Sequence, residues 1–224
     1  MSARMLRIIM NRKISISLIF VFVGSLLASL IQTNNGSVKI QDVRFVGSAG
    51  QLMSGLLYIP KDATASSPQP AVLAIHGYIN SRETQSAFAI ELSRRGFVVL
   101  ALDQTGHGFS DPPAFAHGFG GPDGLRYLRS LPFVDRDRVA LEGHSMGGWA
   151  SLMAASAHPD GYQAIVLEGS STGTLGTGEG TAEFPKNLLL VFSQFDEFSS
   201  LMWGVDVPKD MVTTKKLQKL FNTG

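Results

Sequence analysis

The 224 residues carry 19 Lys+Arg against 18 Asp+Glu, a net charge of +1, and no cysteine. That balance, with no basic run and no aromatic-basic interleaving, gives nucleic-acid binding no electrostatic support. The missing cysteine excludes disulfides, a thiol nucleophile and thiolate metal sites, although it does not choose a compartment.

Four cations, Arg4, Arg7, Arg12 and Lys13, precede Ile14 to Ile31, eighteen residues without a charge. A secretory signal has an apolar region of about 7–15 residues and a small-residue cleavage site, whereas a membrane span needs roughly 17–25 residues. The run fits the second range, and Ala28-Ser29-Leu30 is a poor cleavage signal. Residues 1–13 therefore read as a basic segment and 14–31 as a transmembrane anchor, with a cleaved signal as the alternative. All-round apolarity argues against a buried soluble helix. By the positive-inside rule the chain after about Gln32 lies outside the cytoplasm. Without the four cations, 15 Lys+Arg face 18 Asp+Glu, so the remainder is mildly acidic.

After a polar spacer (32–37), Val38 to Val46 alternates at period two, as a half-buried strand does. Gly47-Ser48-Ala49-Gly50 turns it, and Leu52 to Ile59 returns as the second strand of an antiparallel hairpin. Pro60 to Pro70 is loop by composition. Ala71 to Ile75 is a continuous apolar run, the mark of a strand covered on both faces of a parallel sheet. Strand and helix then alternate: a helix over 81–95 ended by Gly96, a strand over 97–102, a short helix over 123–131, a strand over 138–142, a helix over 146–157 and a strand over 163–167. Past the Gly/Thr-rich 172–181 come a strand over 187–192 and an amphipathic helix over 212–221. This order predicts an α/β domain from residue 38 to 224, a mostly parallel sheet flanked by helices with an antiparallel edge.

Gly143-His144-Ser145-Met146-Gly147 falls between the strand at 138–142 and the helix at 146–157. A G-x-S-x-G run is weak by itself, but on a strand-to-helix turn it becomes a candidate nucleophile elbow, the hydroxyl of Ser145 lifted clear of the sheet. Gly143 and Gly147 flank a strained turn where the backbones approach too closely for a Cβ. A serine needs donors for the developing oxyanion. The Met146 amide at the helix start is one candidate, and the Tyr78 amide in Ile75-His76-Gly77-Tyr78 is the other. Gly77 permits the sharp turn there, and His76 reads as a strand-end histidine that bonds the loop.

With Asp103-Gln104-Thr105-Gly106-His107-Gly108-Phe109-Ser110 after the next strand, these motifs resemble the α/β-hydrolase superfamily in its own order, over residues 38 to 224. The resemblance implies that Asp103 and His107 belong to loop architecture and that His144 is a packing residue. It also implies a triad acid after a late strand. Asp196 fits that place, with Glu197 and Glu168 as alternatives. The implied reaction is hydrolysis of carboxylic esters or related acyl compounds through an acyl-enzyme, with no metal or organic cofactor. A peptidase of the oligopeptidase type and a non-catalytic, membrane-tethered binding relative are the rivals.

One departure stands out. The superfamily's order is Ser, acid, His, yet no histidine follows His158. Three explanations are open: a C-terminally incomplete sequence, which the intact motifs favour; a relative that has lost catalysis; or an unusual base among His76, His107 and His144.

Overall fold

The computed structural model describes residues 3–170, 187–191 and 193, and side chains from Met10 onward. Asp196, Glu197 and the expected helix over 212–221 lie outside the described residues.

Helix α1 (Ala3–Gln32) runs through both the basic segment and the apolar run. Its stretch Met10–Gln32 has the length and composition of a membrane span or a signal sequence, and none of the apolar window within it is buried against the rest of the chain. Phe20 and Phe22 stand 74% and 71% exposed. A core helix of a soluble domain would bury such side chains.

A five-residue turn, tied by Asn35 N–H to the Leu30 carbonyl (2.7 Å) and Val38 N–H to the Thr33 carbonyl (2.8 Å), leads into the sheet. Strands β1 (Val38–Val46) and β2 (Leu52–Pro60) form the expected hairpin. Strands β3 (Gln69–Ile75), β4 (Val98–Asp103), β5 (Val134–His144), β6 (Ala164–Glu168) and β7 (Leu188–Val191) follow. The described sheet has the order β1-β2-β4-β3-β5-β6-β7, antiparallel as far as the β2–β4 pair and parallel beyond it.

Side-chain alternation divides the core. Leu73, Ile75, Leu100, Leu102, Leu141, Ile165 and Leu167 pack with Leu125 and Leu128 of α3 (Gly121–Ser130) and Leu152 of α4 (Met146–Ala157). On the other face Val72, Ala74, Val99 and Ala101 pack with Ala89 of α2 (Ser86–Arg94). Burying each Leu or Ile contributes about 1.5–3 kcal/mol, which explains why the central strands read as unbroken apolar runs.

Two boundaries differ from the sequence expectation. The helix over 81–95 begins as a 3-10 turn, Arg82–Gln85, whose first amide, otherwise without an intrahelical acceptor, donates to the Asp103 carboxylate (2.9 Å). β5 starts at Val134 rather than 138, its early part pairing irregularly with β3.

The parallel strands set two functional edges. Their C-terminal ends bring Ile75, Asp103, His144, Glu168 and Val191 together, the edge at which open α/β sheets hold ligands. Val38 pairs with Pro60 at the opposite edge, so α1 joins the domain on the side away from Ser145.

Candidate active site

Ser145 occupies the single residue between β5 and α4, at φ 54° and ψ −121°. A non-glycine residue with positive φ carries strain of about 1–3 kcal/mol, and surrounding structure must enforce it. Here the enforcement is visible. The Ser145 amide donates to the Glu168 carbonyl at the end of β6 (2.8 Å), and the Gly148 amide returns to the Ser145 carbonyl (2.9 Å). A Cβ on Gly143 would overlap the Gly147 carbonyl, and one on Gly147 would overlap the Ile75 carbonyl and lie 2.6 Å from that of His76. A Cβ at either glycine is thus excluded by close backbone approach.

The loop after β3 borders the same turn. A Cβ built on Gly77 would lie 3.2 Å from Ser145 Cβ. The amides of Tyr78 and Met146 donate to no carbonyl among the described residues. Two free amides, one at a helix start and one beside the strained serine, are what a developing oxyanion requires. The Tyr78 ring is exposed and stacks on Phe115 (6.1 Å between centroids), which meets Phe119 edge-on (6.0 Å). An apolar rim therefore borders this end of the sheet.

His76 is fully buried, and both ring nitrogens are occupied. Nδ1 lies 2.7 Å from the Gly77 carbonyl, and Nε2 accepts from the Gln104 amide (3.1 Å). The second bond needs a bare Nε2, so Nδ1 carries the proton. Burial, the largest influence, pushes its pKa down. A neutral imidazole with both nitrogens engaged pins two loops together and has no free position for proton transfer. His107 places Nδ1 3.1 Å from the Thr105 carbonyl, in keeping with loop architecture. His144 is exposed and pairs in register with Glu168. The Ser145 hydroxyl makes no hydrogen bond with any described residue, so these histidines do not complete a triad in this arrangement. No group of three or more His, Cys, Asp or Glu able to hold a metal occurs among the described residues.

A family profile described as alpha/beta hydrolase fold matches residues 70–198. The chain belongs to this family. Dipeptidyl peptidase 8 of Homo sapiens is 32% identical over 139 residues, covering 54% of this chain and 16% of that protein. The 2-(acetamidomethylene)succinate hydrolase of Mesorhizobium japonicum is 33% identical over 99 residues, covering 43% and 34%. Among solved structures, acetyl xylan esterase from Paenibacillus sp. R4 aligns with a TM-score of 0.54 at 22% identity, over 60% of this chain and 49% of that one. The last likeness shows the fold. In each case the match spans less than half of the relative, and the relatives are hydrolases.

Three contributors to this hydrolase-family site escaped the sequence reading. Arg82, only 3% exposed, ties Asp42 (2.6 Å), Ser54 (2.7 Å) and the Gly55 carbonyl (3.1 Å) to buried Asp103 (3.5 Å). Asp103 also accepts from the Phe109 amide (3.1 Å), which holds the loop after β4. Gln104 donates its side-chain amide to the His76 carbonyl, securing the loop that carries Tyr78. Glu142 lies three residues before Ser145, 2% exposed, with Oε2 unpartnered among the described residues. No local motif marks Arg82, whose partners are distant in sequence, and the Asp103–Ser110 motif does not reveal the contact of Gln104 with His76.

Proposed function

We propose that the chain is a serine hydrolase acting on carboxylic esters or related acyl compounds, tethered to a membrane by α1 with its catalytic domain on the non-cytoplasmic side. The carrying observation is the strained turn at Ser145, bordered by the Gly77 loop, with the Met146 and Tyr78 amides unengaged among the described residues. Ser145 Oγ attacks the carbonyl carbon while a base takes its proton. The Met146 and Tyr78 amides hold the resulting oxyanion, and collapse expels the alcohol. Water then cleaves the acyl-enzyme and releases the acid. Asp196 is the proposed acid that orients the base. The apolar rim of Tyr78 and Phe115 supports an ester with an apolar group next to the carbonyl. No metal or organic cofactor enters the scheme.

The base itself is assigned to none of the five histidines, all at or before position 158. Loss of a triad base lowers turnover by roughly 10⁶-fold in known systems. The 224-residue chain is accordingly expected to turn over slowly and to be accelerated by added imidazole. With imidazole supplied as the base, a fluorophosphonate probe is expected to label Ser145, with labelling lost in Ser145→Ala. A folded protein that resists labelling under those conditions, or a label mapped to another residue, overturns the proposal. Similarity to dipeptidyl peptidase 8 supports a peptidase as the second reading. Cleavage of a dipeptidyl anilide in preference to a nitrophenyl ester would select it.

A further inference from the structure

Chain charge is nearly balanced, yet folding gathers cations at one place. Arg126 and Arg129 stand three residues apart on α3, Arg136 comes from early β5, and His158 follows α4. With Leu125 and Ser130 they line a surface hollow of about 280 Å³. No carboxylate lines it. Arg126 is committed to Asp123 (2.8 Å). Arg129 and Arg136 have no ion pair among the described residues. A guanidinium's planar fork suits phosphate oxygens. The arrangement asks for an anion.

Position identifies which one. α3 ends, β5 begins and α4 ends at the N-terminal edge of the parallel sheet, where α1 also joins through its five-residue turn. Arg94 at the end of α2 donates to the Ile31 carbonyl (2.7 Å), and the Lys61 amide donates to that of Ser37 (2.9 Å), which fastens α1 to this edge. Four strand spacings of about 4.8 Å separate β1 from β5, so the hollow lies roughly 19 Å sideways from the anchor. A second hollow of about 530 Å³ shares Arg136, and apart from Asp135 its other walls are Pro68, Leu131, Pro132 and Val134. A cation beside a recess walled in part by Pro68, Leu131, Pro132 and Val134 matches a phosphodiester attached to a glyceride better than a free ion.

We propose that Arg129 and Arg136, with His158, form a binding site for the phosphate of an anionic phospholipid headgroup. It is distinct from the Ser145 site and sits on the edge that faces the membrane. The lipid source rests on the reading of α1 as an anchor; the phosphate chemistry does not.

The test is calorimetry on the full chain in neutral detergent micelles, titrated separately with inorganic phosphate, dihexanoyl phosphatidylglycerol and dihexanoyl phosphatidylcholine. Phosphatidylglycerol is expected to bind saturably, to compete with phosphate and to exceed phosphatidylcholine. The Arg129→Gln/Arg136→Gln variant is expected to weaken binding roughly tenfold or more, with its melting temperature recorded to confirm folding. Arg138→Gln, a cation on the same strand outside the hollow, should leave binding intact. Phosphate binding without phosphatidylglycerol binding overturns the lipid assignment. No saturable binding, or equal losses in Arg138→Gln and the double variant, overturns the site. Alkaline carbonate extraction reads the anchor independently: release of the chain from membranes with phosphate binding intact sinks the anchor while the anion site stands.

Discussion

Glu142 carries an ionisable group where charge is least tolerated, in the apolar strand that presents Ser145. Its carboxyl is pushed up to about 8, first by burial and second by the negative charge of Glu168. The ordinary value is 4.5, so between that pH and about 8 the folded chain keeps a proton that the unfolded chain has lost. Stability is therefore complete below the window and falls as pH rises through it. At about 1.4 kcal/mol per unit of displacement, the total is a few kcal/mol, large against the 5–15 kcal/mol that holds a domain together. Glu142→Gln cannot ionise, and we expect its melting temperature to change less between pH 5 and 8 than that of the wild type. The variant should also be the more stable protein at pH 8. Parallel melting curves for the two proteins would show that the carboxyl is ionised in the fold.

At the scale of elements, β5, the Ser145 turn and α4 act as one unit whose shape depends on backbone contact with the end of β3. Gly147→Ala tests this directly. The added methyl would meet the Ile75 and His76 carbonyls, and backbone atoms cannot step aside as a flexible side chain can. Overpacking costs about 1–3 kcal/mol, and relief would move Ser145 away from the Tyr78 amide. We expect a lower melting temperature together with loss of fluorophosphonate labelling, and a variant that folds and labels normally would show that the close approach is dispensable. This unit was legible in sequence because its determinants are contiguous: an apolar run, a G-x-S-x-G turn and a small-residue helix. The hairpin and the run Ala71 to Ile75 were legible for the same reason. The 3-10 start before α2, the Arg82–Asp103 tie and the Arg129–Arg136 hollow were not. Each depends on residues brought together from separate segments, and Arg126 with Arg129 alone reads as an ordinary solvated helix face. The fate of Asp196 lies outside the described residues, so the acid rests on chain order alone.

For the whole molecule, the sheet's polarity converts one covalent attachment into an orientation. Residues 139–143 of β5 pair alongside β3 and His144 pairs with Glu168 of β6, and six residues at about 3.3 Å each set Ser145 roughly 20 Å from the edge that receives α1. The turn between α1 and β1 is short and hydrogen-bonded, so the domain has little freedom to swing its other edge toward lipid. Under the proposed anchoring of α1, Ser145 is expected to open to the aqueous side and to take substrates from solution rather than from the membrane. Because the chain contains no cysteine, a single introduced one is a unique label. Asp137→Cys marks the edge near α1, and Ile79→Cys, at a position 79% exposed, marks the edge near Ser145. Each variant would carry a dye in nanodiscs containing acceptor-labelled headgroups. Energy transfer should be stronger from position 137 than from position 79, and neutral lipids should preserve the order, since the anchor sets it. The reverse order would place Ser145 against the bilayer and make a membrane-embedded ester the better substrate class.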